Sequence, residues 1–285
     1  MDRPQRTPPV GDDLDGRALC HNPWAAAPSV AADYEEHLVP ILFDTWAHTL
    51  VRIANPRTDE RVLDIACGTG IVARTVAARR ASQANITGID INPDMLAVAR
   101  RAAPGIGWTL ADATATGLPD ASFDVALCQQ GLQFLTDPLA ALRDWRRVLV
   151  PGGRLVVSTW HDPDNLGYAP IRAALERHLP DHTEAIGFLQ AIFALSDPTE
   201  VHGLLVAAGF HDVNVDVHSG VVDCPTPRAW IEAFLSAAPV QAVATADDKA
   251  RGAIIAEVTR ELRSRVTGDS RLTFPIQTNI ATATA

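Results

Sequence analysis

Residues 61–74 read RVLDIACGTGIVAR, and this stretch decides the fold. The short apolar run from Arg61 to Ile65 predicts a strand, and the Ala- and Val-rich segment from Ile71 to Arg79 predicts a helix. Between them, Gly68 and Gly70 complete the pattern G-x-G-x-x-A, whose glycines allow a sharp turn and a close approach of a ligand to the backbone. The pattern by itself suits NAD and other nucleosides alike. It predicts a strand–turn–helix unit that binds a nucleotide-like cofactor.

Strand and helix signals alternate after this unit as far as Trp160. One helix is predicted to start at Asn92-Pro93, and another is predicted to run from Leu139 to Leu149. Strands are predicted at 86–90, 108–111, 123–128 and 154–160. Such alternation with short connections predicts a doubly wound, parallel sheet. Beyond it we expect helices, a strand at 213–218 and a closing strand. That last strand is expected to start after Pro275, because proline is disfavoured inside a sheet.

The length of 285 residues fits one large α/β domain with additions. Residues 1–30 are expected to form a flexible tail, and its first part, residues 1–16, is too polar and proline-rich for a signal peptide. Residues 31–285 are expected to form a single domain, with a cofactor-binding core at about 55–160 and a helical lid from 31–53, 163–197 and 225–268. No apolar run has membrane-spanning length, so a cytoplasmic protein is predicted, either a monomer or a homodimer.

Composition disfavours two kinds of partner. The net charge is −10 and no run of Lys or Arg is present, which argues against nucleic acid. The nine histidines show no metal-ligand spacing, so no metal site is predicted. The four cysteines lie far apart and are interpreted as reduced, buried side chains: Cys20, Cys67, Cys128 and Cys224.

Three carboxylates identify the cofactor more closely than the glycines do. Asp64, Asp90 and Asp112 end the first three predicted strands, so they are expected to surround one crevice. A pyrophosphate would be repelled there. S-adenosylmethionine, which carries an ammonium, a sulfonium, a ribose diol and an adenine, would be stabilised. An NAD(P)-dependent oxidoreductase and a non-catalytic S-adenosylmethionine-binding protein remain as alternatives.

Four motifs in this order resemble the class I S-adenosylmethionine-dependent methyltransferases: VLDIACGTG (62–70), GIDINPDML (88–96), ADATATGLPDASFDVALCQQGLQF (111–134) and LRDWRRVLVPGGRLVVSTW (142–160). Within that family they are most similar to the branch that contains the ubiquinone and menaquinone biosynthesis C-methyltransferases. The resemblance implies a Rossmann-like, doubly wound α/β sheet of seven strands, mostly parallel with an antiparallel closing strand, plus helical lid insertions.

The resemblance also implies the cofactor site. The loop from Ala66 to Gly70 would lie against the methionine moiety, with Asp64 orienting the loop and the ammonium group. Asp90 would hold the ribose. The remaining contacts would be made by Ile91 on the adenine ring, Asp112 and the Ala113 amide on the adenine edge, Gln129 near the ammonium, and Tyr34 over the carboxylate. Tyr34 is equally well interpreted as a packing residue.

The residues immediately after the fourth strand indicate the kind of acceptor. Cys128-Gln129-Gln130-Gly131 differs from the Asn/Asp-Pro-Pro-aromatic run of enzymes that methylate nucleic-acid amino groups, and it lacks the acids of magnesium-dependent catechol enzymes. We therefore expect metal-free transfer to an oxygen or carbon of a small, apolar or aromatic molecule. The lid could line its pocket with aromatic side chains: Phe43, Trp46, Phe188, Phe193, Trp230 and Phe234.

A general base is hypothesised at the end of the fifth strand. A histidine, whose side chain has an unperturbed pKa near 6.5, suits the removal of a proton from an acceptor oxygen. His161 is therefore the candidate base, while Gln130 and Gln133 could orient the acceptor. A histidine in a turn such as WHDPDN (160–165) is more often a capping or surface residue, and this alternative stays open.

Overall fold

The fold is known from a computed structural model that describes residues 28–162, 167–236, 248–266 and 271–285. These residues form a seven-stranded sheet in the order β3-β2-β1-β4-β5-β7-β6. The strands are β1 (Val62–Ile65), β2 (Ile86–Asp90), β3 (Gly107–Leu110), β4 (Phe123–Gln129), β5 (Leu149–Trp160), β6 (His211–Cys224) and β7 (Leu272–Thr284).

Pairing along the sheet confirms the predicted architecture. Strands β1 to β5 are parallel, whereas β7 runs antiparallel to both of its neighbours, β5 and β6. The chain order reverses between β1 and β4, and in open α/β sheets such a reversal creates a crevice outside the carboxyl ends of the strands.

Helices cover the sheet and its carboxyl edge. They are α1 (Pro28–Asp33), α2 (Asp44–Ala54), α3 (Ile71–Arg80), α4 (Pro93–Ala102), α5 (Pro138–Val148), α6 (Ala169–His178), α7 (Thr183–Ala191), α8 (Pro198–Ala207), α9 (Pro227–Ser236) and α10 (Asp248–Glu261). Asn92, Asp137 and Asp197 cap α4, α5 and α8, and each is followed by a proline at the first helical position. This local chemistry explains why these boundaries could be read from the sequence.

The leading segment departs from the single helix expected over 31–53. Its helix begins earlier, at Pro28, and the π-helix Tyr34–Phe43 separates α1 from α2. Pro40 lies inside that π-helix, where its ring nitrogen offers no N–H for a regular α-helical hydrogen bond. The first 27 residues of the predicted tail lie outside the described residues.

The closing strand also differs from the prediction, since β7 begins at Leu272 and contains Pro275. Pro275 pairs with Val221 of β6, but β5 reaches only as far as the Trp160–Thr278 pair. Strand β7 therefore has one neighbour at Pro275, and a residue without an N–H is tolerated there. Strand β6 is correspondingly longer than the predicted 213–218.

The predicted helical region 228–266 contains α9, α10 and the 3-10 turn Leu262–Arg265. Among the residues that the structure describes, no helix is long and apolar enough to cross a membrane.

Apolar side chains form separate clusters on the two faces of the sheet and under the lid. Leu63, Leu142 and Trp145 belong to one face, and Leu50, Val62 and Val76 to the other. The lid cluster joins the π-helix to α6, α7, α9 and α10 around Trp160 and Trp230. The lid is therefore packed onto the carboxyl end of the sheet, above the crevice.

Candidate active site

A cavity of about 540 Å³ opens at the carboxyl ends of β1 to β5, beneath the lid. We call one part the cofactor end. It is lined by Tyr34, Ala66, Gly68, Asp90, Ile91, Asn92, Asp112, Ala113, Thr114 and Gln129. The other part we call the aromatic end. It is lined by Leu38, Leu42, Phe43, Phe134, Trp160, Tyr168, Phe188, Ile192 and Phe234.

The turn after β1 is held by backbone geometry and by Asp90. Ala66 and Gly68 both have left-handed φ angles, 52° and 54°. The Gly68 N–H donates to Asp90 Oδ2 at 2.7 Å, and a Cβ at Gly68 would have no atom within 4 Å. The backbone of Gly68 therefore faces open space in the cavity, as close approach of a ligand requires.

Gly70 makes the predicted turn with a left-handed φ, but it serves packing rather than ligand approach. It lies outside the cavity lining, has a φ of 83°, and a Cβ there would meet the Trp108 indole at 2.3 Å. The absence of a side chain allows Trp108 of β3 to pack against the start of α3.

Asp64 also lies beneath the loop rather than in the cavity wall. Its Oδ2 accepts the Ala73 N–H at 2.9 Å, which ties β1 to the first turn of α3. Burial raises the pKa of Asp64 to about 7, with the nearby Asp90 adding to the effect and the Ala73 N–H opposing it. Asp64 can orient the loop, but the predicted contact with an ammonium group does not fit this position.

Asp90 and Asp112 do line the cavity. Asp90 accepts the Asn92 N–H at 2.8 Å through Oδ1. Burial raises the pKa of Asp90, and the backbone hydrogen bonds that this carboxylate accepts oppose the increase. Asp112 Oδ1 accepts both the N–H and the hydroxyl of Thr114, at 2.8 and 2.7 Å. Each carboxylate keeps lone pairs for a ligand, because a carboxylate offers about four acceptor positions.

Gln129 joins the leading segment to the cavity. Its Nε2 donates to the Phe43 carbonyl at 2.9 Å, while its buried Oε1 has no hydrogen-bond partner among the described residues. A buried acceptor without a partner is costly, so it favours a ligand that donates a hydrogen bond. Tyr34 lines the same cavity. Burial raises the pKa of its phenol, and the negative charge of Asp90 raises it further.

The aromatic end confirms only part of the predicted apolar pocket. Phe43, Phe188 and Phe234 line it as expected. Trp46, Phe193 and Trp230 pack behind the wall instead. Sequence patterns placed Trp160 only at a strand end and did not predict five further lining residues: Leu38, Leu42, Phe134, Tyr168 and Ile192. The available signal was the helical spacing of Leu38 and Leu42, which cannot distinguish a cavity wall from the core.

Gln130 lines the cavity, whereas Gln133 supports it from behind. Gln130 has a φ of 55°, and its Nε2 donates to Thr278 Oγ1 at 2.8 Å. Gln133 donates to Gln130 Oε1 at 3.3 Å and lies outside the lining. Of the two glutamines, only Gln130 is placed to touch an acceptor.

His161 lies outside the cavity lining, a position that does not support the hypothesised role of general base. Its Nδ1 contacts Asn279 Oδ1 at 2.9 Å and the Ser196 carbonyl at 3.2 Å. Successive side chains of a strand point to opposite faces, so Trp160 faces the cavity and His161 turns away from it.

The described residues contain no group of three or more His, Cys, Asp or Glu side chains that could hold a metal ion. In the same part of the chain, no Lys, Arg or His side chain lines the cavity. The site thus combines carboxylates and backbone groups at one end with aromatic rings at the other.

Comparison with known proteins agrees with this geometry. Residues 63–157 match the family described as "Methyltransferase domain". The chain is 34% identical to the demethylmenaquinone methyltransferase of Thermus thermophilus over 178 residues, which cover 58% of this chain and 80% of that protein. It is 32% identical to the ubiquinone/menaquinone biosynthesis C-methyltransferase UbiE of Caulobacter vibrioides, over 62% of this chain and 78% of that protein.

A solved structure shows the same fold at lower identity. It is phosphoethanolamine N-methyltransferase 2 of Haemonchus contortus in complex with S-adenosyl-L-methionine, with a TM-score of 0.57, 18% identity, and coverage of 90% of this chain and 57% of that one. The sequence relatives favour the methyltransferase interpretation over the NAD(P)-dependent oxidoreductase and the non-catalytic binding protein. The chain therefore belongs to the class I S-adenosylmethionine-dependent methyltransferases, in the branch of the ubiquinone/menaquinone biosynthesis C-methyltransferases, and is an enzyme of that family.

Proposed function

We propose that this methyltransferase transfers the methyl group of S-adenosylmethionine to an oxygen or carbon of a small, neutral aromatic molecule. One observation carries the proposal: a single cavity has carboxylates at its cofactor end and aromatic side chains at its other end. Because no cationic side chain lines the described cavity, an acceptor with a phosphate or carboxylate would lose its hydration without gaining a counter-ion. The relatives named for demethylmenaquinone point to the same class of acceptor.

The residues at the cofactor end fit S-adenosylmethionine. Asp90 has acceptor positions for the ribose diol, and Asp112 has a second oxygen for the adenine edge. The buried Gln129 Oε1 lacks a donor that an ammonium group can supply. Ile91 would pack on the adenine, Tyr34 would cover the carboxylate, and the Ala66 to Gly68 backbone would lie along the methionine moiety.

When bound, the cofactor supplies an activated methyl group on a sulfonium. The protein then has to position the acceptor and exclude water, and correct positioning can account for a large part of the rate. The lid residues Leu38, Phe188 and Phe234 close the aromatic end and keep it apolar. Gln130, held by Thr278 and Gln133, is the glutamine available to orient the acceptor. We assign no general base.

Calorimetry with S-adenosylhomocysteine and NADH tests the cofactor site. We expect the nucleoside to bind in the micromolar range, roughly −8 kcal/mol, and NADH to give no heat. Asp90→Ala should weaken binding by about 1.5–3 kcal/mol because hydrogen bonds to a charged acceptor are lost. Binding of NADH alone would overturn the assignment.

Methyl transfer to naphthols, quinols and aromatic amines, assayed with radiolabelled S-adenosylmethionine, tests the acceptor class. We expect a neutral oxygen- or carbon-nucleophile to be methylated, and we expect EDTA to leave the rate unchanged. Exclusive transfer to the nitrogen of the aromatic amines would contradict the proposal. Loss of activity in EDTA that magnesium restores would contradict the metal-free part.

A further inference from the structure

Tyr168 is the side chain at the aromatic end that the proposed chemistry does not yet use. It directly precedes α6, its side chain caps nothing, and the residue is 5% exposed. Its ring meets Phe193, Trp230 and Phe234 edge-on, at centroid distances of 5.3, 5.7 and 5.4 Å. Trp160 lies 6.3 Å away on a further side. These four rings hold the phenol in one orientation, because edge-to-face contacts restrict how a ring can turn.

Tyr168 lines the cavity, and no hydrogen bond joins its hydroxyl to another described residue. Burial raises the pKa of this phenol, so the group stays protonated at neutral pH and can donate. A group held so rigidly and placed in an otherwise apolar pocket suits a fixed polar atom of a ligand.

We propose that the Tyr168 hydroxyl is the polar anchor of the acceptor site and donates a hydrogen bond to an oxygen atom of the aromatic acceptor. This inference rests on the proposed function, because it requires the aromatic end to hold the acceptor. It narrows the acceptor class to aromatic molecules that carry a hydroxyl or carbonyl oxygen on the ring system. It also makes Tyr168 a residue that selects oxygenated rings over hydrocarbon rings of the same shape.

The test compares two probes of similar shape, 2-naphthol and 2-methylnaphthalene, in the presence of saturating S-adenosylhomocysteine. Their affinities are measured by equilibrium dialysis for the wild type and for Tyr168→Phe, which keeps the ring and removes only the hydroxyl. We expect Tyr168→Phe to lower the affinity for 2-naphthol about 5- to 10-fold, as the loss of one hydrogen bond predicts. The affinity for 2-methylnaphthalene should stay unchanged.

Tyr34→Phe is the comparison variant, because it removes the other phenol that lines the cavity. Tyr34 lies beside Asp90 and close enough to Tyr168 for an electrostatic interaction, so the comparison shows which of the two hydroxyls holds the probe. With the cofactor product saturating, we expect Tyr34→Phe to preserve the affinity ratio of the two probes. Unchanged affinity for S-adenosylhomocysteine and an unchanged melting temperature show that Tyr168→Phe is folded.

The outcomes separate the inference from the proposed function. Failure of both probes to bind the wild type would overturn the aromatic acceptor site and the inference with it. If the wild type binds both probes and Tyr168→Phe lowers both affinities equally, or lowers neither, Tyr168 is not the anchor, although the aromatic site itself remains supported. A loss of the probe ratio in Tyr34→Phe instead would move the anchor to Tyr34 and also overturn the inference.

Discussion

Arg74 is joined to Glu35 by a forked contact in which its Nη2 lies 2.7 Å from Oε1 and 2.9 Å from Oε2 of the carboxylate. The guanidinium also reaches back to the Gly70 carbonyl through Nε at 3.3 Å. Glu35 belongs to the π-helix that carries Tyr34, and Arg74 belongs to the first turn after the glycine loop. The ion pair therefore fastens the leading segment over the cofactor end of the cavity.

Breaking this ion pair is expected to weaken cofactor binding without removing a ligand contact. Glu35→Gln should lower the affinity for S-adenosylhomocysteine about 2- to 5-fold, since a partly buried ion pair contributes roughly 0.5–1 kcal/mol to the closed arrangement. Calorimetry measures the change. Asp124→Asn is the control, because it breaks the pair between Asp124 of β4 and Arg61, which precedes β1, and neither residue lines the cavity. Equal losses in both variants would show that Glu35 acts only through general stability.

Alanine at the two loop glycines is expected to separate stability from binding. In Gly70→Ala the new Cβ would collide with Trp108 at a residue with positive φ, so the melting temperature should fall by several degrees. In Gly68→Ala the Cβ meets no protein atom, so the free energy of unfolding should fall by only about 1 kcal/mol. The new methyl group should instead intrude on the cofactor and weaken cofactor binding at least 10-fold. Thermal unfolding and calorimetry on both variants check the contrast. The opposite assignment of effects would contradict it.

Stability is expected to depend on pH through Asp64. Its pKa rises from 3.8 in the unfolded chain to about 7 in the fold, because burial penalises the carboxylate. The protonated form is therefore the one that the fold accommodates at low cost. This group's contribution to the free energy of unfolding is fully present below about pH 4, declines as pH rises toward 7, and is constant above that.

Asp64→Asn should remove this decline, because the amide oxygen can still accept the Ala73 N–H but does not ionise. Denaturant titrations between pH 4 and 8 measure the slope in wild type and variant. Asp124→Asn serves as the control of opposite sign. Its hydrogen bonds with Arg61 lower the pKa of Asp124, so the stability that it contributes is present at neutral pH and lost on acidification. Parallel pH profiles for wild type and Asp64→Asn would disprove the prediction.

Replacement of His161 is expected to leave the chemical step unchanged. The ring lies outside the cavity and bonds to Asn279 and Ser196, so His161→Gln should keep kcat within about 3-fold and keep the shape of the pH–rate profile. Any effect should appear as a lower melting temperature. A loss of catalytic rate of about a hundredfold or more, together with loss of the acidic limb, would restore His161 as the general base.

The cofactor end could be predicted because its residues follow directly from strand ends. Asp90 and Asp112 lie at or just beyond the ends of predicted strands, and the carboxyl ends of parallel strands meet at one edge of a sheet. Asp64 shows the limit of that logic. Its position in β1 was correct, but its carboxylate turns under the loop to the Ala73 N–H, and no pattern in the sequence indicates that direction.

The aromatic end depended on packing between segments distant in the chain. Phe134 stacks on Phe188 with ring centroids 5.4 Å apart, and Tyr168 meets Phe234 although 66 positions separate them in the printed sequence. An apolar residue on a lid helix has the same sequence signature whether it faces a cavity or the core. Phe188 and Phe193 illustrate this, because they are close in sequence and only Phe188 lines the cavity.

Three features could be predicted from the sequence: the order of strands and helices, the capped helix starts and the acids at the strand ends. Each depends on hydrogen-bond caps or side-chain periods, which act over only a few residues. The tertiary structure alone decided which side chains face the cavity. The left-handed turn at Gln130 brings Gln129 and Gln130 to the same cavity, whereas the regular alternation after β5 sends Trp160 inward and His161 outward. The reason is physical: a backbone angle or a one-residue shift at a strand end redirects a side chain to the opposite face, and contacts across the whole fold select that angle.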